Sequence, residues 1–233
     1  MNASICYVGG SKGGVGKSMM SYVLTDYLIG NGKQVLLVES DTSNPDVFKA
    51  HETYTNENLI CEIMDLDTSD GWLNLVDKAE DYPEHMIVIN SAARSNTGIS
   101  KYGSTLKTTL PQLQRELVTF WMINRQLDSV ELLKEFVNAI HEGKLHVCRN
   151  LYFGDPEKFD VYNSSRAKEI IEMTGGTFDF PALSPRVADR LYSERVPIWV
   201  AENTFRISER AELARWKNLC LQLFKTAFGE NNS

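Results

Sequence analysis

A single stretch near the N-terminus, Gly9-Gly10-Ser11-Lys12-Gly13-Gly14-Val15-Gly16-Lys17-Ser18, restricts what this chain can fold into more than any other. The apolar run Ile5-Cys6-Tyr7-Val8 precedes it, and Met19, Met20, Tyr22, Val23, Leu24, Tyr27 and Leu28 follow at helical spacing. A glycine-rich turn between a buried strand and a helix N-terminus holds phosphate. Its curled backbone aims several N–H groups at one anion, and the helix dipole adds to the attraction. The spacing follows G-x-x-x-x-G-K-[ST] except that Ser11 fills the first glycine position. Lys17 then belongs on the β/γ-phosphates and the Ser18 hydroxyl on Mg²⁺, with the backbone from Ser11 through Gly13, Gly14, Val15 and Gly16 to Met19 as the cradle.

Beyond the loop, apolar runs and helical patterns alternate. Gln34–Val38, Leu59–Met64, Met86–Ile89, Leu117–Ile123, Leu145–Asn150 and Thr177–Ala182 read as strands, several of them apolar throughout, as in a parallel sheet covered on both faces. Helices are expected over Lys17–Ile29, up to Tyr82-Pro83, and over Thr105–Glu116, Val130–His141, Asp160–Thr174 and Ile207–Phe228. The stretch Arg94 to Thr109 is polar and contains Gly98 and Gly103, which reads as a mobile segment. The expected fold class is α/β, a doubly wound, mostly parallel sheet flanked by helices, with ligands at the strand C-termini. A length of 233 residues suits one domain over 1–233.

Charge and cysteine usage exclude several classes. The net charge is −7, and between Glu39 and Asn90 thirteen acidic residues face only Lys49 and Lys78. Such a body disfavours unaided binding to nucleic acid, which depends on neutralising phosphate. Cys6, Cys61, Cys148 and Cys220 are scattered without C-x-x-C, and His51, His85, His141 and His146 share no metal-ligand spacing. No run is long enough to span a membrane, and the expected compartment is the cytoplasm.

Lys12-Gly-Gly-Val-Gly-Lys-Ser18 resembles the deviant Walker A motif of the ParA/MinD family of P-loop ATPases, a fold of the SIMIBI type. The resemblance implies ATP and Mg²⁺ as cofactors. It also implies that Lys12 reaches across a homodimer interface to the partner's nucleotide. Glu39 and Asp41 are spaced like the family's acidic pair, which implies that Asp41 positions the attacking water and helps hold the metal. Asn90 stands where the family carries the Walker B aspartate. An amide can accept a hydrogen bond from a metal-bound water but brings no charge, so either Glu39 or Asp41 supplies it or hydrolysis is slow. Asn150 falls where relatives contact the base, and Pro181 and Ala182 fall in a segment that wraps it. Arg195-Val196-Pro197-Ile198 matches a later family segment except that Arg195 replaces a small residue.

These features together imply an ATP-binding dimerisation switch, catalytic through Lys12, Lys17 and Asp41, with Ser18, Asp41 and Asn90 around the metal. The expected setting is segregation, positioning or stability of plasmid or chromosomal DNA, with a DNA-binding adaptor protein as partner. The final helix mixes charges and reads as core packing rather than a membrane anchor. Two alternatives stay open: a non-hydrolysing, nucleotide-gated adaptor acting in plasmid maintenance or conjugation, and a small-molecule ligase of the same superfamily.

Overall fold

The computed structural model describes residues 3–10, 12–93, 96–140 and 142–230. In chain order its main elements are β1 (Ile5–Gly10), α1 (Lys17–Gly30), β2 (Val35–Glu39), α2 (Asp46–His51), β3 (Leu59–Ile63), α3 (Ser69–Asp81), β4 (Met86–Asn90) and α4 (Asn96–Leu113). There follow β5 (Leu117–Ile123), α5 (Leu127–Ala139), β6 (Lys144–Asn150), α6 (Asp160–Asn163), α7 (Arg166–Thr174), β7 (Gly176–Phe180), α8 (Pro185–Glu194), α9 (Ile198–Thr204) and α10 (Ile207–Ala227). The seven strands form one sheet in the order β3-β2-β4-β1-β5-β6-β7, and every pairing is parallel.

Successive residues of a strand face opposite sides of the sheet. Cys6 and Val8 of β1 enter a core shared with α1, α2, α8, α9 and α10, while Ile5 and Tyr7 enter one shared with α3, α4, α5, α6 and α7. Both faces are dry, which is why the strands read as unbroken apolar runs. β1 sits mid-sheet, where connections leave in opposite directions. The strand C-termini therefore open into a crevice beside it, and the glycine loop lies there.

Three helical expectations are corrected, and one helix that the sequence reading did not mark is added. That helix, α2, follows the bends after Asp41, and its Val47 and Ala50 are buried. The helix expected at Thr105 begins at Asn96, so most of the polar stretch 94–109 is helical; Arg94 and Ser95 lie outside the described residues. Gly98 reflects close packing there, since a Cβ would run into the Leu66 carbonyl and Asp67. The helix expected from Val130 begins at Leu127 and ends at Ala139, and His141 lies outside the described residues. Asp160–Thr174 is two helices, because Ser165 caps α7 by accepting a bond from the Lys168 backbone N–H. Arg195, just past α8, adopts φ 49° and ψ 54°. That left-handed conformation favours glycine, which gives a physical reason for the small residue that the resembled family carries there.

Candidate functional site

The loop between β1 and α1 is shaped by two glycines with positive φ, Gly14 at 76° and Gly16 at 106°. At Gly16 a side chain would also collide with the Asn150 amide. Gly16 precedes α1 without any side-chain cap, and the first turn of α1 holds no acidic residue. The N–H groups there therefore face the crevice with no protein anion competing for them. Lys17 is buried and folds back on its own loop, donating from Nζ to the Lys12 carbonyl at 2.9 Å. Burial pulls its pKa down to about 8, against the opposing pull of Asp41 and Glu39. Among the described residues that ammonium donates to one carbonyl and to no carboxylate, so a phosphate would supply the negative charge it lacks.

In front of the loop lies a cavity of about 460 Å³ lined by Gly13, Gly14, Gly16, Lys17, Ser18, Asp41, Asn44, Asp46, Asn90, Ser91, Ala93 and Tyr192. Ser18, Asp41 and Asn90 thus line one cavity. Ser11 lies outside the described residues. Lys12 lines neither this cavity nor its neighbour; its ammonium pairs with the Asp128 carboxylate at the start of α5. That hydrogen bond and charge hold the Asp128 carboxyl below the usual carboxylate range.

The acidic residues divide their work. Asp41 is held in a turn, its Oδ1 accepting from Ser43 Oγ at 2.7 Å and from the Asn44 N–H at 3.0 Å. Glu39 is fully buried and faces inward. It accepts from the Asp41 N–H at 3.0 Å, the Val47 N–H at 3.3 Å and Asn90 Nδ2 at 2.9 and 3.1 Å. Asn90 Oδ1 in turn accepts from Ser21 Oγ at 3.0 Å. Burial raises the Glu39 carboxyl to about 7 in spite of these donors. The sequence reading sets the Asn90 amide on the metal shell, but its first partners are Glu39 and Ser21. β2 and β4 are neighbours with Glu39 opposite Asn90, so a carboxylate at 90 would abut the one at 39.

For Mg²⁺ the fitting donors are the hard oxygens of Ser18 and Asp41. Among the described residues no group of three or more His, Cys, Asp or Glu could hold a metal. A site of one carboxylate and one hydroxyl suits an ion that takes its remaining ligands from phosphate and water.

A second cavity, of about 220 Å³, adjoins the first along α8. Met19, Asn150, Pro181 and Ala182 line it, together with Tyr152, Asp189 and Tyr192. Asn150 lines the cavity as expected, and its amide also serves the protein. Nδ2 donates to the Val15 carbonyl at 2.9 Å, and Oδ1 accepts from the Tyr152 N–H at 3.0 Å. Asn150 thus braces the phosphate loop against β6 and still keeps a second amide N–H and a second oxygen lone pair.

Sequence reasoning missed Asp128, Asp46, Asn44, Asp189 and Tyr192. Asn44-Pro45-Asp46 carried a turn signal at a strand C-terminus, which is where crevice residues arise. Pro185, Ala188, Asp189 and Tyr192 recur at helical spacing, but nothing in that spacing says which cavity the face meets.

Comparison with known proteins agrees with this geometry. Residues 7–155 match the CobQ/CobB/MinD/ParA nucleotide binding domain. Protein MobD of Acidithiobacillus ferrooxidans is 50% identical over 219 residues, covering 94% of this chain and 95% of that protein. In fold, the chain is similar to a single-substitution variant of McdA from Cyanothece in its ATP complex, with TM-score 0.59, 13% identity, and 98% and 97% of the two chains covered. It is also similar to the nucleotide-binding protein of Archaeoglobus fulgidus in complex with ADP, with TM-score 0.52, 11% identity, and 84% and 88% covered.

Proposed function

Because this chain belongs to the CobQ/CobB/MinD/ParA family of nucleotide-binding domains, we propose that it is an ATP-binding, weakly hydrolysing dimerisation switch. The observation that carries the reading is the loop itself: uncapped N–H groups and the buried, under-partnered Lys17 at the mouth of a cavity that also holds Ser18 and Asp41. Ser18 and Asp41 would hold Mg²⁺, which supplies positive charge against the phosphates when bound. Backbone amides and Lys17 offset the rest, and Asp41 orients the attacking water. Lys12 leaves Asp128 and reaches the nucleotide of a second copy, which closes the dimer. The switch acts in segregation, positioning or stability of DNA, through a DNA-binding adaptor rather than by direct contact, given the acidic body. No helix among the described residues is long and apolar enough to cross a membrane.

Lys17→Ala is expected to weaken ATP binding by about 100-fold or more, since a charge-assisted contact to phosphate is lost from a buried site. Isothermal titration measures this, and wild-type affinity in the variant would sink the reading. Lys12→Ala should keep ATP binding but fail to dimerise with ATP; light scattering behind size exclusion reads the mass directly.

The bond between Asn90 and Glu39 favours a second reading, a nucleotide-gated adaptor that does not hydrolyse. The same carboxylate holds residues 40–47 at the Asp41 and Val47 N–H groups and does not line the cavity. Single-turnover hydrolysis separates the two: release of one phosphate per site supports the first reading, and a stable ATP complex supports the second.

A further inference from the structure

We propose that Asp189 reads the ribose of the bound nucleotide and makes the site selective for ribonucleotides over 2′-deoxyribonucleotides. This rests on the nucleotide reading above and adds to it a residue that selects the sugar. Two cavities meet along α8. Tyr192 lines both and so marks the border between the phosphate end and the nucleoside end. Asp189 lies three residues back on the same helix face, about 4.5 Å along the axis, and lines only the nucleoside cavity. One further turn back is Pro185, which with Phe180, Pro181 and Leu183 makes that part of the wall apolar. From phosphate outward the order is therefore phenol, carboxylate, apolar wall. A nucleotide runs phosphate, sugar, base, so the carboxylate meets the sugar.

The chemistry matches. A vicinal diol presents two O–H donors, and an ionised carboxylate presents two acceptor oxygens. Asp189 is the one charged residue among the described lining of this cavity. Its carboxylate is exposed and stays available, because the arginines on either side are engaged elsewhere. Arg186 pairs with Glu209, and Arg190 with Glu194 and Glu209. Among the described residues no ion pair or side-chain hydrogen bond takes up Asp189. Asn150 spends one N–H and one lone pair on the protein, and Asp189 is the charged acceptor of this pocket, suited to hydroxyls.

The test is isothermal titration of the whole chain with Mg²⁺-ATP and Mg²⁺-2′-deoxyATP. Wild type is expected to bind ATP roughly tenfold more tightly, the effect of one hydrogen bond to a charged group. Asp189→Ala should bind the two nucleotides equally, and no more tightly than wild type binds 2′-deoxyATP, while Asp189→Asn should fall between. The exposed position predicts an unchanged melting temperature, which separates a lost contact from a damaged fold. Equal affinities in wild type would overturn the assignment, as would a preference that survives Asp189→Ala. A wild type that binds neither nucleotide would refute the nucleotide reading itself and this assignment with it.

Discussion

Asn90→Asp is expected to lower stability by on the order of 3 kcal/mol at pH 8, and adding Glu39→Gln to the same chain should restore more than half of it. In the wild type the Asn90 amide donates to both oxygens of a buried carboxylate. Aspartate there removes that donor and sets two carboxylates side by side. They cannot both ionise in a dry site, so one must keep its proton. The sign follows from linkage. A carboxyl whose folded pKa is raised above its unfolded value favours folding at low pH and loses that contribution as pH rises through the folded pKa. The Glu39 carboxyl already stands at about 7, and a second charge pushes the pair higher. The deficit of Asn90→Asp is therefore largest above pH 7 and shrinks toward pH 5. In the double variant an amide again faces a carboxylate with the polarity reversed. Urea unfolding at pH 5 and pH 8 measures both effects. Additive losses, or an Asn90→Asp chain as stable as wild type at pH 8, would show that residues 39 and 90 are not a coupled pair.

Acid is expected to unfold this protein through two buried histidines. His51 donates one bond from Nδ1 to the Val47 carbonyl at 2.8 Å, and its Nε2 has no partner among the described residues. His146 has none at either nitrogen and lies between Phe120 and Phe178, with ring centroids 5.7 and 4.8 Å away. Burial lowers both imidazoles to about 4. The unfolded chain takes up their protons near pH 6.5, so it binds more protons than the fold between pH 6.5 and 4, and stability falls across that window. Each histidine is worth about 3 kcal/mol over the interval. Glu39, raised to about 7, runs the other way and offsets roughly one of them. His146→Leu is the sharp test. It removes an unpaired polar ring from the core, which should stabilise by about 1–2 kcal/mol at pH 7, with a larger gain at pH 5. Calorimetric melting of both chains over pH 4.5 to 7.5 measures this; parallel curves for the two would contradict it.

Most of the architecture was legible because the sheet is covered on both faces. A fully apolar strand such as Leu36–Val38 or Ile87–Ile89 admits few other readings, and the glycine loop fixed the site next to β1. Helix starts were harder to read. Gly98 signals flexibility in sequence, whereas in the fold it marks a helix pressed against the backbone at Leu66. The residues of the crevice were legible by type and not by partner. Asn150 and Asn90 sit where expected, but an amide at a strand end can serve a ligand or the protein, and only three-dimensional neighbours decide which. Lys12 shows the same limit, since Asp128 is far away in sequence and marked by nothing but its place in a helix start.

The bond from Asn150 to the Val15 carbonyl joins residues 135 positions apart. One amide therefore ties the phosphate cradle to the wall of the nucleoside cavity, since its other end holds the Tyr152 N–H. An incoming nucleotide meets a receptor whose ordering entropy was lost on folding rather than on binding. The opposite wall, residues 40–47, hangs instead on the Glu39 carboxylate, which grips it at the Asp41 and Val47 N–H groups. Both walls of the crevice are thus braced by a side chain at a strand end, Asn150 of β6 and Glu39 of β2, and α2, which begins within 40–47, packs in turn against α8.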